Sequence, residues 1–139
     1  MRRPERRLLC SQPKLRSHAW SLMKHAIEWQ TLTYRIAMSA RSDRDVVGIA
    51  SEDYLLYGGY VTLAHHWLKM EEKAVAALEG GGSEDGEEAD FLKAKISTSD
   101  FVFQNILPRT STLKQTMLAP KESLMAMTPD QFSFDHAQA

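Results

Sequence analysis

Residues 53–67 read DYLLYGGYVTLAHHW, a stretch with almost no polar side. At helical spacing Tyr54, Leu55, Leu56, Tyr57, Tyr60, Val61, Leu63, Ala64 and Trp67 cover nearly the whole circumference. A helix apolar on every side sits at the centre of a fold, with neighbours on several faces. Ser51 offers an N-cap, and Glu52 and Asp53 place negative charge where a helix N-terminus favours it. The helix is expected to run from Ser51 to about Leu78, its second half (Lys69, Glu71, Glu72, Lys73) amphipathic and wetter. Gly58 and Gly59 each cost about 1 kcal/mol relative to alanine inside a helix. Their presence predicts the close approach of another backbone.

The companions of this helix are legible on either side. Residues 1–16 read as a disordered basic arm, with Arg2, Arg3, Arg6, Arg7, Lys14 and Arg16 against the lone acid Glu5. The remainder, 17–139, is expected to form one helical domain. Ser17 can cap a first helix, in which Leu22, Met23, Ala26, Ile27, Tyr34, Ala37 and Met38 recur at three-to-four spacing. A polar turn at Arg41–Arg44 ends it, and Asp45–Ala50 reads as a short connector. The glycine-rich acidic run at Gly80–Ala89 is a flexible loop. A third helix starts near Glu88 and carries Leu92, Ile96, Ser99, Phe103 and Ile106 inward. Pro108 lacks a backbone donor and should kink that helix, which resumes through Leu113 and Met117 and stops at Ala119-Pro120. Lys121–Met127 reads as a helical turn, and Thr128-Pro129 as a cap with proline at the first helical position. No strand-like alternation of useful length occurs. The expected fold is therefore all-α: an antiparallel bundle of three long helices, the third kinked at Pro108, with short C-terminal turns.

Composition removes several classes of function. The formal net charge is -1, so nothing draws the chain generally to nucleic acid or anionic membrane. No apolar run reaches the roughly 18 residues of a membrane span. The single cysteine, Cys10, cannot form an intrachain disulfide, which suits a reducing cytoplasm.

The search for chemistry finds no site. His65 and His66 point about 100° apart on a helix and cannot both ligate one ion. His18 and His25 share a face two turns apart, too distant for one ion. Both pairs read as packed histidines. Gly80-Gly81-Gly82 is followed by acids that would repel phosphate. Tyr54, Tyr57, Tyr60 and Trp67 form an aromatic stripe, read as core rather than as a ligand slot. Lys93, Lys95, Arg109 and Lys114 read as a solvated or salt-bridged face. Asp100 lies in an apolar stretch and, if inward, needs a cationic partner. Lys69, Lys73 and Arg109 are the expected sources, in a structural ion pair. Glu71, Glu72, Glu87 and Glu88 read as polar helix-surface or loop positions. Catalytic, cofactor-binding and metal residues: none is assigned.

The order of four segments carries a resemblance: AIEWQTLTYRIA, SEDYLLYGGYVTLAHHWLKM, FLKAKISTSDFVFQNILPRT, and SLMAM with TPDQFSFD. Together, from about Trp20 to Asp135, they resemble the C-terminal helical domain of an acyl-CoA dehydrogenase branch. That branch includes the 3-methylmercaptopropionyl-CoA dehydrogenases and similar bacterial long-chain enzymes. The resemblance implies an all-helical domain that follows a catalytic core and takes part in α,β-desaturation of acyl-CoA thioesters with FAD. Fewer than 20 residues precede Trp20, so the flavin, the base and the substrate grip are expected outside this chain. On that expectation the chain is a domain or fragment, inactive alone and binding no FAD by itself. Its partners would be the dehydrogenase core domains, or other copies of itself through the apolar helical face. A stand-alone oligomerisation or interaction module is the alternative.

Overall fold

The structure, a computed structural model, describes residues 12–80 and 86–132. Every regular element among them is helical. Helix α1 spans Pro13–Ser39, α2 Asp45–Glu79 and α3 Glu87–Phe101. A π-helical turn at Val102–Ile106 and a 3-10 turn at Leu107–Arg109 lead into α4, Thr110–Met117. A short helix α5, Glu122–Met125, and a 3-10 turn at Pro129–Phe132 follow. The three-helix bundle expected from the sequence is the observed fold.

Two helix starts fall earlier than expected. Helix α1 begins at Pro13 instead of Ser17, because proline's fixed φ suits the first helical position, where its missing N–H is no loss. The rest of the basic arm, residues 1–11, lies outside the described residues. Helix α2 begins at Asp45, so Asp45–Ala50 is helix rather than connector. The side chain of Asp43 accepts the Asp45 N–H at 3.2 Å and supplies the start signal. Ser51 does not cap; its hydroxyl donates back to the Gly48 carbonyl at 2.8 Å from inside the helix.

Helix α2 has 35 residues and is about 52 Å long. It packs against α1, α3 and α4 and forms the axis of the bundle. Its pairing with α1 is antiparallel: His18 meets Glu71, Glu28 meets Tyr57, and Thr33 meets Tyr54. The core is built from Leu32 of α1, Tyr57, Val61 and Ala64 of α2, and Val102, Phe103, Leu107 and Met117 of the third segment. Tyr57 is completely buried, and Tyr54 and Trp67 pack partly buried against the same cluster. Three members of the aromatic stripe are therefore core packing, while Tyr60 is half-buried outside that cluster.

The kink at Pro108 has a local cause. A proline ring clashes with the carbonyl four residues earlier and offers it no donor. The chain widens to a π turn just before the proline, so that the Leu107 N–H reaches back to the Val102 carbonyl. Side chains add bonds to neighbouring carbonyls: Asn105 Nδ2 donates to the Phe101 carbonyl at 3.3 Å, and Arg109 Nε to the Asn105 carbonyl at 3.1 Å.

The glycine pair divides in function. A Cβ on Gly58 would lie 2.6 Å from the Trp29 ring, so the close neighbour is an indole of α1 rather than another backbone. Gly59 has nothing within 4 Å. Gly58→Ala is therefore expected to destabilise by about 1–3 kcal/mol through overpacking. Gly59→Ala should stabilise by up to about 1 kcal/mol through helix propensity. Urea unfolding of the two variants would show shifts of opposite sign.

Candidate functional site

The buried face of α2 continues past its aromatic half. Tyr57, Val61, Ala64, Glu71 and Ala74 are all buried, at the three- and four-residue steps of one helix face. Glu71 is thus core, with 1% of its surface exposed, and the expectation of a wet surface position is corrected. Its neighbours explain how the fold accepts it. His18 Nδ1 of α1 lies 2.8 Å from Glu71 Oε2, and the Ser99 hydroxyl of α3 donates to the same oxygen at 2.6 Å. A buried carboxylate needs such partners, since an isolated one is far too costly to desolvate.

The His18 ring is held on further sides. It stacks on Phe103 with centroids 4.2 Å apart and planes 4° from parallel. Its other nitrogen, Nε2, faces Asp100 Oδ1 at 3.5 Å. Asp100 Oδ2 accepts from Lys14 Nζ at 3.1 Å. The partners of Asp100 come from α1, not from the expected Lys69, Lys73 or Arg109. Lys69 instead pairs with Glu72, and Arg109 bonds its own helix. The reading of Asp100 as a member of an ion pair stands, with Lys14 as the cation. His18, Glu71 and Asp100 offer ligand atoms that all lie within 4.8 Å of one another.

The remaining histidines and cations do not converge. His65 and His66 are exposed and meet edge to face at 5.6 Å. His25 Nδ1 lies 2.8 Å from the Ser21 carbonyl of its own helix. Lys95 sits over Trp67 and Phe91, Lys93 lies 3.9 Å from Asp90, and Lys114 pairs with Glu28. Among the described residues, no basic group of this set combines with a glycine-rich turn to cradle a dinucleotide phosphate.

A second polar linkage crosses the bundle at mid-height. The Tyr57 hydroxyl donates to Glu28 Oε2 at 2.8 Å, and Lys114 of α4 donates to Glu28 Oε1. The hydrogen bond from Lys114 holds the Glu28 carboxyl below its ordinary value of 4.5. Burial, and then its hydrogen bond to Glu28, push the Tyr57 hydroxyl well above its usual range. At the open end of the bundle Lys121 pairs with Asp43 and lowers its pKa.

Between α1 and α2 the surface is apolar. One hollow of about 410 Å³ is lined by Ala19, Leu22, Met23, Ala26, Val61, Thr62 and His65. Another of about 480 Å³ is lined by Ile36, Ala37, Val47, Ala50, Tyr54 and Leu55 among others. Trp20, Met23, Ile27, Tyr34 and Met38 are exposed along α1, at steps that set them on one stripe. No described helix is long and apolar enough to cross a membrane.

These observations define an all-helical bundle with a buried carboxylate–histidine linkage and an apolar outer face. The family described as acetyl-CoA dehydrogenase C-terminal like matches residues 5–128, and the chain belongs to it. Comparison with curated proteins and with solved structures gave no match.

Glu71→Ala would leave His18 and the Ser99 hydroxyl buried without their acceptor. A loss of about 3–5 kcal/mol is expected in urea unfolding. Replacing Glu71 and His18 together by leucine should cost far less, because no charge is then stranded. The second linkage predicts acid sensitivity. A carboxylate whose folded pKa is depressed contributes stability above its unfolded value and loses it as pH falls through the folded one. Stability should therefore decline as pH drops below about 4.5. Unfolding curves of Glu28→Gln should show a shallower acid decline than the parent.

Proposed function

We propose that this chain is the C-terminal helical unit of an FAD-dependent acyl-CoA dehydrogenase, of the branch that includes 3-methylmercaptopropionyl-CoA and long-chain enzymes. It packs on a catalytic core that supplies flavin, base and acyl-CoA grip. Family membership supports the reading, and the observation that carries it is the apolar face of the α1–α2 pair. Trp20, Met23, Ile27, Tyr34 and Met38 lie exposed on α1, beside hollows that are themselves mostly apolar. Isolated exposed apolar residues are ordinary, but a continuous face of this kind marks a surface that another protein covers.

In such an enzyme FAD, bound by the core, would supply the hydride-accepting chemistry of α,β-desaturation, and the base would also belong to the core. Glu71 is not that base. Its Oε2 is bound by both His18 and Ser99, and its burial serves the joint between helices. The work of this chain is to hold a shaped apolar face rigid, so that the core meets a preformed surface.

The purified chain should show no flavin absorbance and no turnover of acyl-CoA with an artificial electron acceptor. Turnover by the chain alone would overturn the proposal. Mixed with an acyl-CoA dehydrogenase core that lacks its own C-terminal helices, the chain should co-elute in gel filtration. Met23→Glu with Ile27→Glu should abolish co-elution while the helical circular dichroism stays unchanged. Self-association without any affinity for the core would favour the oligomerisation module instead.

A further inference from the structure

We propose that His18 and Asp100 are two ligands of a divalent-metal site of the zinc class, with Glu71 orienting the histidine from behind. The geometry between the two side chains points to an ion. His18 Nε2 and Asp100 Oδ1 lie 3.5 Å apart. Two ligands at about 2.0–2.1 Å from a tetrahedral zinc stand roughly 3.3–3.4 Å from each other. The gap thus matches a shared ion better than a direct hydrogen bond. Asp100 Oδ1 is buried and has no hydrogen-bond partner. A buried orphan acceptor in a folded protein calls for a missing water or ion.

The surroundings have the form of a metal site's outer shell. The Glu71 carboxylate lies on Nδ1 at 2.8 Å, where it accepts the ring proton and leaves the Nε2 lone pair turned toward Asp100. Carboxylate–histidine–metal chains use this arrangement to set the tautomer and the ring orientation. Ser99 steadies Glu71 at 2.6 Å, and stacking on Phe103 fixes the ring plane. The donors are one imidazole nitrogen and one carboxylate oxygen, a set that suits zinc and its neighbours more than calcium or magnesium. Water would fill the remaining positions. The Asp100 side chain is 23% exposed while its Oδ1 is buried, so an ion held there would be enclosed. Lys14 occupies its Oδ2 from the solvent side, with 74% of its side chain exposed, and acts as a competing cation. The site ties α1 to α3 and does not depend on the docking reading, since it can be measured on this chain alone.

The test is titration of the full chain with zinc chloride by calorimetry, and with cobalt(II) by visible absorption. One ion per chain is expected, with the intense visible bands of four-coordinate cobalt. Asp100→Asn should weaken binding at least tenfold. Lys14→Ala, at an exposed position that the fold tolerates, should tighten it severalfold by freeing Oδ2. His65→Ala with His66→Ala should leave it unchanged. Absence of saturable binding by the folded parent overturns the proposal. So does binding that is indifferent to both Asp100→Asn and Lys14→Ala, or binding that is lost with His65 and His66.

Discussion

Everything in this bundle is arranged around one buried carboxylate. Glu71 sits on the central helix and takes hydrogen-bonding partners from both flanking ones, His18 from α1 and Ser99 from α3. Apolar contacts alone would let these helices slide by a turn at modest cost, because leucine, valine and alanine faces are interchangeable. A carboxylate cannot slide. Moved by one turn it would lose its partners and bear the desolvation of a bare charge. The linkage thus acts on register more than on net stability, as buried ion pairs generally add little over a well-packed apolar substitute. The Glu28–Tyr57–Lys114 contact repeats the device further along, again joining α1, α2 and the third segment.

With register held, the irregular parts of the third segment make sense. Pro108 would break a plain helix, yet Leu107 and Thr110 on either side of it are buried. The π turn before it and the 3-10 turn through it keep the chain running along α2. Phe103, in the widened turn, lies flat against His18. The distortion that the proline imposes is therefore spent next to the polar centre of the bundle, where it aims an aromatic ring at the histidine. The outer face of α1 is left apolar by the same geometry. Its inner stripe is committed to α2, and Trp20, Ile27 and Tyr34 are left more than half exposed among the described residues. That exposure fits the proposed docking of this face on a dehydrogenase core.

The fold was largely legible from periodicity. The apolar stretch around Tyr57 identified the central helix, and Pro108 identified the kink, because each depends on backbone physics that a few residues carry. Helix starts were less legible. Ser51 is a good cap by type, but the Asp43 carboxylate accepts the Asp45 N–H and starts the helix earlier. Polar residues were the harder part. Glu71 looks like a neighbour of Lys69, Glu72 and Lys73 in a wet helix end. Only extending the face of Tyr57, Val61 and Ala64 by two more turns puts it inside. That extension is available in the sequence and would have found it. The attachment of Asp100 to Lys14 and His18 was not available, since these residues are 86 and 82 positions away and meet only when α1 folds back beside α3.

Residue order alone established the helix count, the central place of residues 53–67 and the kink, because these follow from local backbone preference and the period of apolar side chains; the family resemblance rests instead on the order of four recognisable segments. The three-dimensional packing decided which polar groups share a site. It set His18 between Glu71 and Asp100, put the Trp29 ring against Gly58 and left one face of α1 uncovered. Such contacts depend on helix rotation and register between distant segments. A shift of one residue turns a helix by about 100°, enough to carry a histidine from the core to the solvent.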